Sequence, residues 1–396
     1  MATATWSFGI GIHSLYITEA ILIQAKDADI NSLNIIHVAG TKGKGSTCAF
    51  IESFLRMHGK RTGFPRRTGL YTSPHLICPE ERIRINFKPL SKDLFAKYFF
   101  EVCDGLSRGS SDEPESAPRY LQLFALLSFH AFIREKVDVA IYETHHGGEY
   151  DATNVIQEPV VTAITPVDED HVDQLGPSVE NIAWHKAGIF KTGASAFSAP
   201  QQLMIAEVLQ TRAAEKGVAL KFVDLDSTLP DNAPQLKPEV LRMNCSLARA
   251  VSDAFLKRKA PKKYSSLAFQ DVILGIEEFS WPGRFQLIRD GSRTWFLDGA
   301  HNKLSIKVAA QWFVETGHEL EGQLNISTSY SPVTRILIFS QISDQRDGAA
   351  VLECLAKSLY RSGIPMQHVI FTTYEQTQEN TSNSISQEAT QWNCAP

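Results

Sequence analysis

The stretch from Asn34 to Thr47, NIIHVAGTKGKGST, gathers Gly40, Gly43 and Gly45 around Thr41, Lys42 and Lys44, a composition suited to holding phosphate. Glycines let the backbone curl without Cβ clashes, so N–H groups and the positive end of a following helix can face an anion. Lys44 supplies a point charge for the outer phosphates of a nucleotide, and Ser46 or Thr47 a hydroxyl for magnesium. The spacing departs from the strict P-loop, because Val38 stands where the first glycine belongs and Gly45 follows the lysine. A second source of chemistry is Glu143, at the end of the apolar run Val137 to Tyr142. A carboxylate at the carboxyl end of a strand in an open α/β sheet points into the ligand crevice, where it can hold a metal. Asp168, Glu169, Asp170 and His171 follow the run Val160 to Ile164 and reach the same rim.

Positioning these groups falls to an alternation of strands and helices. Ile35, Ile36 and Val38 predict a short buried strand, and Ser46 to His58 a helix with Ala49, Phe50, Phe54 and Leu55 on one face. The second half of Gly69 to Asn86 alternates like a strand or hairpin arm. Gly105 to Ala117 reads as a surface loop, and Tyr120 to Glu135 as a helix with Leu123, Phe124, Leu127 and Phe132 facing a core. A helix and turn over Ile182 to Lys191, a helix near Leu203 to Lys216 and a strand near Leu220 to Val223 come next. Trp281-Pro282-Gly283-Arg284 is a turn and is expected to divide a domain over 1–281 from a second over 282–374. The second domain reads strand (Thr294 to Leu297), helix (Lys303 to Thr316), strand (Arg335 to Phe339), helix (Asp347 to Arg361), strand (His368 to Thr372). That alternation implies a parallel sheet with right-handed crossovers. Residues 375–396, rich in Gln, Asn, Ser and Thr, are expected to be disordered, and His13 to Ala25 to be helical.

With 396 residues, 43% hydrophobic and 21% charged, the chain is large enough for two domains of ordinary globular composition. A net charge of -5 without a large basic cluster argues against a nucleic-acid binder. The six cysteines are scattered, so a reducing compartment is expected: the cytoplasm, with the mitochondrion left open although Met1 to Ala25 lacks the arginines of a transit peptide. No apolar run reaches the roughly 18 residues of a membrane span.

GTKGKGST resembles the ATP loop of the Mur ligase superfamily, and more narrowly the folylpolyglutamate synthase family in its fungal form. So do TSPHL and ERIRIN within 72–86, ETHHGGEYDATN beside the family's E-V-G-x-G-G-x-x-D-x-T-N, IAWHKAGIFK, WPGR and DGAHN at 298–302. The resemblance implies an α/β chain: a Mur-ligase-like P-loop ATPase domain with a mostly parallel sheet, plus a smaller, shortened Rossmann-like C-terminal domain. It implies an ATP-dependent carboxylate-amine ligase forming an amide through an acyl phosphate, with ATP and magnesium, and room for a monovalent cation. The implied partners are a small carboxylic acid, foremost tetrahydrofolate, and an amino acid or amine, foremost glutamate; a monomer is expected, with no nucleic acid and no membrane.

By the same resemblance Ser73, Glu143 and His171 are metal ligands, and Lys186 is a lysine that becomes carbamylated. Asn244 contacts adenine, Arg284 the ATP phosphates and Asp298 the ribose, while His301 meets the incoming amino acid. Lys44, Lys186, Arg284 and His301 form the catalytic set; Pro74 and His75 lie near the acid substrate. The departures collect where that substrate is expected: Glu80 in place of Arg, Leu121 and Gln122 in place of Phe and Arg, His145 and His146 in the glycine loop, and Pro238, Val240 and Leu241 in place of Gly, His and Gln before Asn244. A side chain at 145 either strains that loop or reshapes the site. Folate therefore leads only narrowly over another carboxylic acid of specialised metabolism. An inactive nucleotide-binding paralogue is a further alternative, and a transition-metal site built from Glu143, His145, His146 and His171 the weakest one.

Overall fold

The structure, a computed structural model, describes residues 27–109, 118–169, 172–324, 333–341 and 348–372. His171, the helix expected over His13 to Ala25 and the tail over 375–396 lie outside them. Two compact units divide between Trp281 and Pro282.

The first unit is built on an eight-stranded sheet of β1 (Ile36–Ala39), β2 (Thr68–Tyr71), β3 (Ile83–Ile85), β4 (Lys88–Pro89), β5 (Val139–Glu143), β6 (Val161–Ile164), β7 (Ser195–Ser198) and β8 (Leu220–Phe222). Their order is β4-β3-β2-β5-β1-β6-β7-β8. β2, β5, β1, β6, β7 and β8 run parallel, and β3 with β4 adds an antiparallel edge. β1, β2, β5 and β6 are buried along their whole length, as expected of parallel strands covered on both faces. Burial of Ile36 and Val38 contributes roughly 1.5–3 kcal/mol each. Val38 stands opposite Glu143 on one side and Ala163 on the other, so the loops leaving β1, β5 and β6 open on one edge of the sheet.

Helix α1 (Lys44–Thr62) starts directly at the phosphate loop and is stopped by Gly63, whose N–H bonds back to Gly59 in a left-handed cap. It packs against α6 (Glu239–Lys259) and α7 (Phe269–Glu277). One apolar core joins β2, β3 and β5 to α2 (Lys92–Gly109) and α3 (Tyr120–Arg134); another joins β6 and β7 to α4 (Val179–Lys186) and α5 (Leu203–Glu215). The loop expected over 105–117 is corrected at its start, since Gly105 to Gly109 continue α2. The period carried by Leu94, Tyr98 and Val102 runs on to Leu106, which packs on the core and outweighs the polar composition around it.

In the second unit β9 (Gln286–Asp290) and β10 (Arg293–Leu297) form an antiparallel hairpin, while β11 (Ile336–Phe339) and β12 (His368–Phe371) pair in parallel. α8 (Lys303–Leu324) and α9 (Gly348–Arg361) pack through Ile306, Ala310, Val351, Leu355 and Leu359. The expectation of one parallel sheet holding β10, β11 and β12 is thus corrected. Among the described residues β10 pairs only with β9, because Gly291 at φ 56 turns the chain straight back on itself. No helix among the described residues is long and apolar enough to cross a membrane.

Candidate active site

The phosphate loop leaves β1 at Ala39 and is glycine-rich for two reasons. Gly40 and Gly43 sit at φ 143 and 83, where a side chain is strained, and a Cβ on Gly43 would lie 2.4 Å from the Asn244 amide oxygen. The loop is latched to the segment after β6. The N–H groups of Thr41 and Lys42 donate to the Pro166 carbonyl at 3.0 and 3.2 Å, and Thr41 Oγ1 donates to the Asp168 carbonyl at 3.0 Å. Lys44 Nζ and Lys186 Nζ both donate to the Gly40 carbonyl, at 3.1 and 2.8 Å. Lys186 ends α4 and is only 2% exposed.

Glu143 ends β5, 4% exposed, and one of its carboxylate oxygens accepts the Ser73 N–H at 3.1 Å. Ser73 Oγ accepts from Arg82 Nη1 at 2.7 Å, and His75 Nδ1 accepts from Arg82 Nε at 2.9 Å. The loop after β2 is therefore tied to the end of β5 and to the start of β3.

The loop after β5 is organised by Asp151. Its carboxylate accepts the N–H groups of His145 and His146 at 2.8 and 3.0 Å, and both the N–H and the hydroxyl of Thr153 at 3.0 and 2.7 Å. Burial alone would raise its pKa, but the His145 ring and these bonds outweigh burial and hold the carboxyl well below the usual carboxylate range. His145 Nδ1 lies 3.4 Å from that carboxylate and Nε2 2.7 Å from the Tyr71 hydroxyl, with the ring edge-on to Tyr71. His145 is absent from the non-glycine residues with positive φ, so the side chain at 145 reshapes this loop and does not strain its backbone. Burial pushes the His146 pKa down; Asp151 opposes this, and His145, Lys186 and Lys44 add to it. Thr153 Oγ1 in turn lies 2.8 Å from Nε2 of His37 in the centre of β1, and burial pulls the His37 pKa down to about 3.

The first unit thus brings the loop over 40–47 together with Lys186, Glu143, Ser73 and, through Gly43, Asn244. Among the other expected substrate residues, Gln122 is engaged elsewhere. Gln122 accepts the Arg119 N–H at 2.7 Å as part of the start of α3, and Glu80 is buried with Oε2 lacking a hydrogen-bond partner. Pro74 is exposed and His75 half-buried. In the second unit Arg284 Nη1 donates to the Gly283 carbonyl, Asp298 accepts the N–H groups of Phe285 and Ala300 at 2.8 Å each, and His301 Nδ1 lies 2.8 Å from the Gly299 carbonyl. Burial raises the Asp298 pKa.

The donor set suits magnesium. Glu143 and Ser73 offer the hard oxygen ligands that magnesium takes alongside phosphates, and the buried Thr47 Oγ1 has no hydrogen-bond partner. Among the described residues no group of three or more His, Cys, Asp or Glu is placed to hold a metal, so Glu143, His145 and His146 do not form such a site by themselves; His171, the fourth member of the transition-metal reading, lies outside the described residues. Sequence reasoning missed Tyr71 and Arg82. Arg82 stood inside ERIRIN, where alternation signalled a strand and hid the second use of the side chain.

No protein-family model matches the chain. It is 45% identical over 356 residues to a folylpolyglutamate synthase of Neurospora crassa, covering 87% of this chain and 65% of that protein. It is 39% identical over 374 residues to the folylpolyglutamate synthase of Candida albicans, covering 87% of this chain and 70% of that one. A solved structure of the apo form of L. casei FPGS is similar with a TM-score of 0.72 at 24% identity, covering 93% of this chain and 85% of that chain. The chain spans about two thirds of the length of these two fungal relatives.

Proposed function

The chain belongs to the folylpolyglutamate synthase family, and we propose that it is an ATP-dependent ligase that joins glutamate to a carboxylate of tetrahydrofolate. What supports this most is the gathering of Lys44, Lys186, Glu143 and Ser73 at the carboxyl ends of β1, β2 and β5, around a loop curled for phosphate. The γ-phosphoryl group passes to the substrate carboxylate, the amine of glutamate attacks the acyl phosphate, and the tetrahedral adduct collapses to an amide as phosphate leaves. Side chains do little covalent work in such a sequence, so positioning and charge carry the rate. Lys44 and the N–H groups at the start of α1 hold the nucleotide phosphates; Asn244, beside Gly43, faces the adenine.

Ser73 and Glu143, with the hydroxyl of Thr47 and with His171, would hold magnesium, which neutralises charge on the phosphates when bound. A carbamylated Lys186 would add a carboxylate where an ammonium now stands. In this reading residues 1–281 bind ATP and 282–374 supply Arg284, Asp298 and His301 for phosphate, ribose and amino acid. The protein acts as a monomer in the cytoplasm or mitochondrion.

A second reading keeps the ATP chemistry and changes the acid. It is favoured by the buried carboxylate of Glu80 and by Gln122 being used up in a helix start, which leave less positive charge for glutamyl carboxylates. The test is amide formation by purified protein with ATP, magnesium and glutamate, comparing tetrahydrofolate with a panel of other acids. Efficient glutamate addition to tetrahydrofolate supports the first reading, and turnover of another acid alone supports the second. Absence of ATP turnover with every acid would defeat both and leave an inactive paralogue.

A further inference from the structure

Arg82 and Arg84 stand at the start of the antiparallel edge of the first sheet, and both are buried. The partners of Arg84 are structural: Nε and Nη1 donate to the carbonyls of Glu81 and Phe87 at 3.0 and 3.3 Å, and the guanidinium lies over the Phe87 and Trp281 rings. Arg82, 5% exposed, is held otherwise. Its donors go to the Ser73 hydroxyl and the His75 ring, and its charge is flanked by the rings of Tyr120 and Phe124 at 5.6 and 5.3 Å. Among the described residues it forms no ion pair. A buried guanidinium without a counter-charge is costly, and a hydroxyl and an imidazole are weaker acceptors for its planar fork than a carboxylate.

We infer that Arg82 binds the carboxylate of the acid substrate that is to be activated; this rests on the ligase reading above. The location argues for the reacting carboxylate over a remote one. Ser73, which Arg82 touches, is hydrogen-bonded through its N–H to Glu143 at the strand ends that carry Lys44. An arriving carboxylate takes the donors now spent on Ser73 and His75. Tyr120, 55% exposed beside the guanidinium, offers a ring to the body of the acid, which selects a carboxylate carried on a flat or apolar group. Gln122 and Glu80 cannot substitute, the first being engaged in the start of α3 and the second carrying no cationic donor.

The experiment measures tetrahydrofolate and a non-hydrolysable ATP analogue separately by fluorescence titration on the whole chain, for wild type, Arg82→Gln, Arg82→Lys and Arg84→Gln. Arg82→Gln is expected to weaken tetrahydrofolate binding roughly ten- to a hundredfold while nucleotide binding stays within about twofold. Arg82→Lys, keeping the charge but losing the fork, falls between, and guanidinium ion restores part of the ligation by Arg82→Ala. If wild type turns over a different acid, that acid replaces tetrahydrofolate as the probe with the same expected result. Equal weakening of acid and nucleotide, or unchanged acid affinity in Arg82→Gln beside an active wild type, overturns the role of Arg82 and leaves the ligase reading standing. A wild type that binds and ligates no acid overturns both.

Discussion

Lys44 and Lys186 donate to the same acceptor, the carbonyl oxygen of Gly40, at 3.1 and 2.8 Å. Both side chains converge where the loop curls, so Lys44 remains the positive charge beside an incoming polyphosphate whether Lys186 is an ammonium or carbamylated.

Lys44→Ala is therefore expected to leave the fold intact and to cut turnover. A charge-assisted contact to phosphate is worth about 1.5–3 kcal/mol, which is roughly ten- to a hundredfold in rate. Steady-state kinetics alongside circular dichroism checks it, and a variant within about twofold of wild type would remove the lysine from the nucleotide site.

Gly43→Ala meets two obstacles at once, a left-handed backbone at φ 83 and the Asn244 amide. The backbone term alone costs about 1–2 kcal/mol. Urea unfolding should show a loss of at least that size, and nucleotide affinity should fall with it; an unchanged midpoint would mean that the loop relaxes freely.

Tyr71→Phe removes the hydroxyl that faces His145 Nε2 and leaves a ring nitrogen that is 3% exposed as a side chain without its partner. The expected loss of stability is about 1–3 kcal/mol. Combined with His145→Gly, the loss should be less than additive, because both changes break one contact. Strict additivity would show that the contact does not form in solution.

Stability should decline in acid as buried histidines resist protonation, His37 foremost and His146 in the same direction. The unfolded chain takes up the His37 proton near the ordinary histidine value of about 6.5, whereas the folded protein resists until about 3. A folded pKa below the unfolded one means that stability is fully present above that upper value and is lost as pH falls toward the lower. The slope is about 1.4 kcal/mol per pH unit for one proton. Asp151 adds a loss of the same sign only below about pH 4, the usual carboxylate range. Urea midpoints taken across this range should fall, and His37→Gln should flatten the decline above the carboxylate range; an equally steep variant would relieve His37 of the role.

Of the parallel strands in the first unit, β1, β5 and β6 were legible as short, continuous apolar runs and β8 in outline, and Glu143 could be placed at a strand end from that pattern alone; β2 (TGLY) and β7 (SAFS) carry no such run and went unread. The helix over Lys92–Gly109 was read in part as loop, because polar and acidic residues near its end masked the period of Leu94, Tyr98, Val102 and Leu106. The hairpin of β9 with β10 was half seen, since Arg, Asp and Gly around the turn broke the alternation on the first arm. Within the site, the phosphate loop and Lys186 could be named from sequence. The engagement of His145 with Tyr71, 74 positions away, could not, since no local spacing encodes which strand end a loop side chain will meet.

The contact between Gly43 and Asn244 also bears on how this sequence can drift. A side chain at 43 meets a backbone angle that suits glycine and, at the same time, the end of the Asn244 side chain, which must move aside. The pair is an evolutionary ratchet that turns one way: a lineage that loses Asn244 gains room at 43 and keeps only the strain at φ 83, whereas one that loses Gly43 first meets both obstacles together.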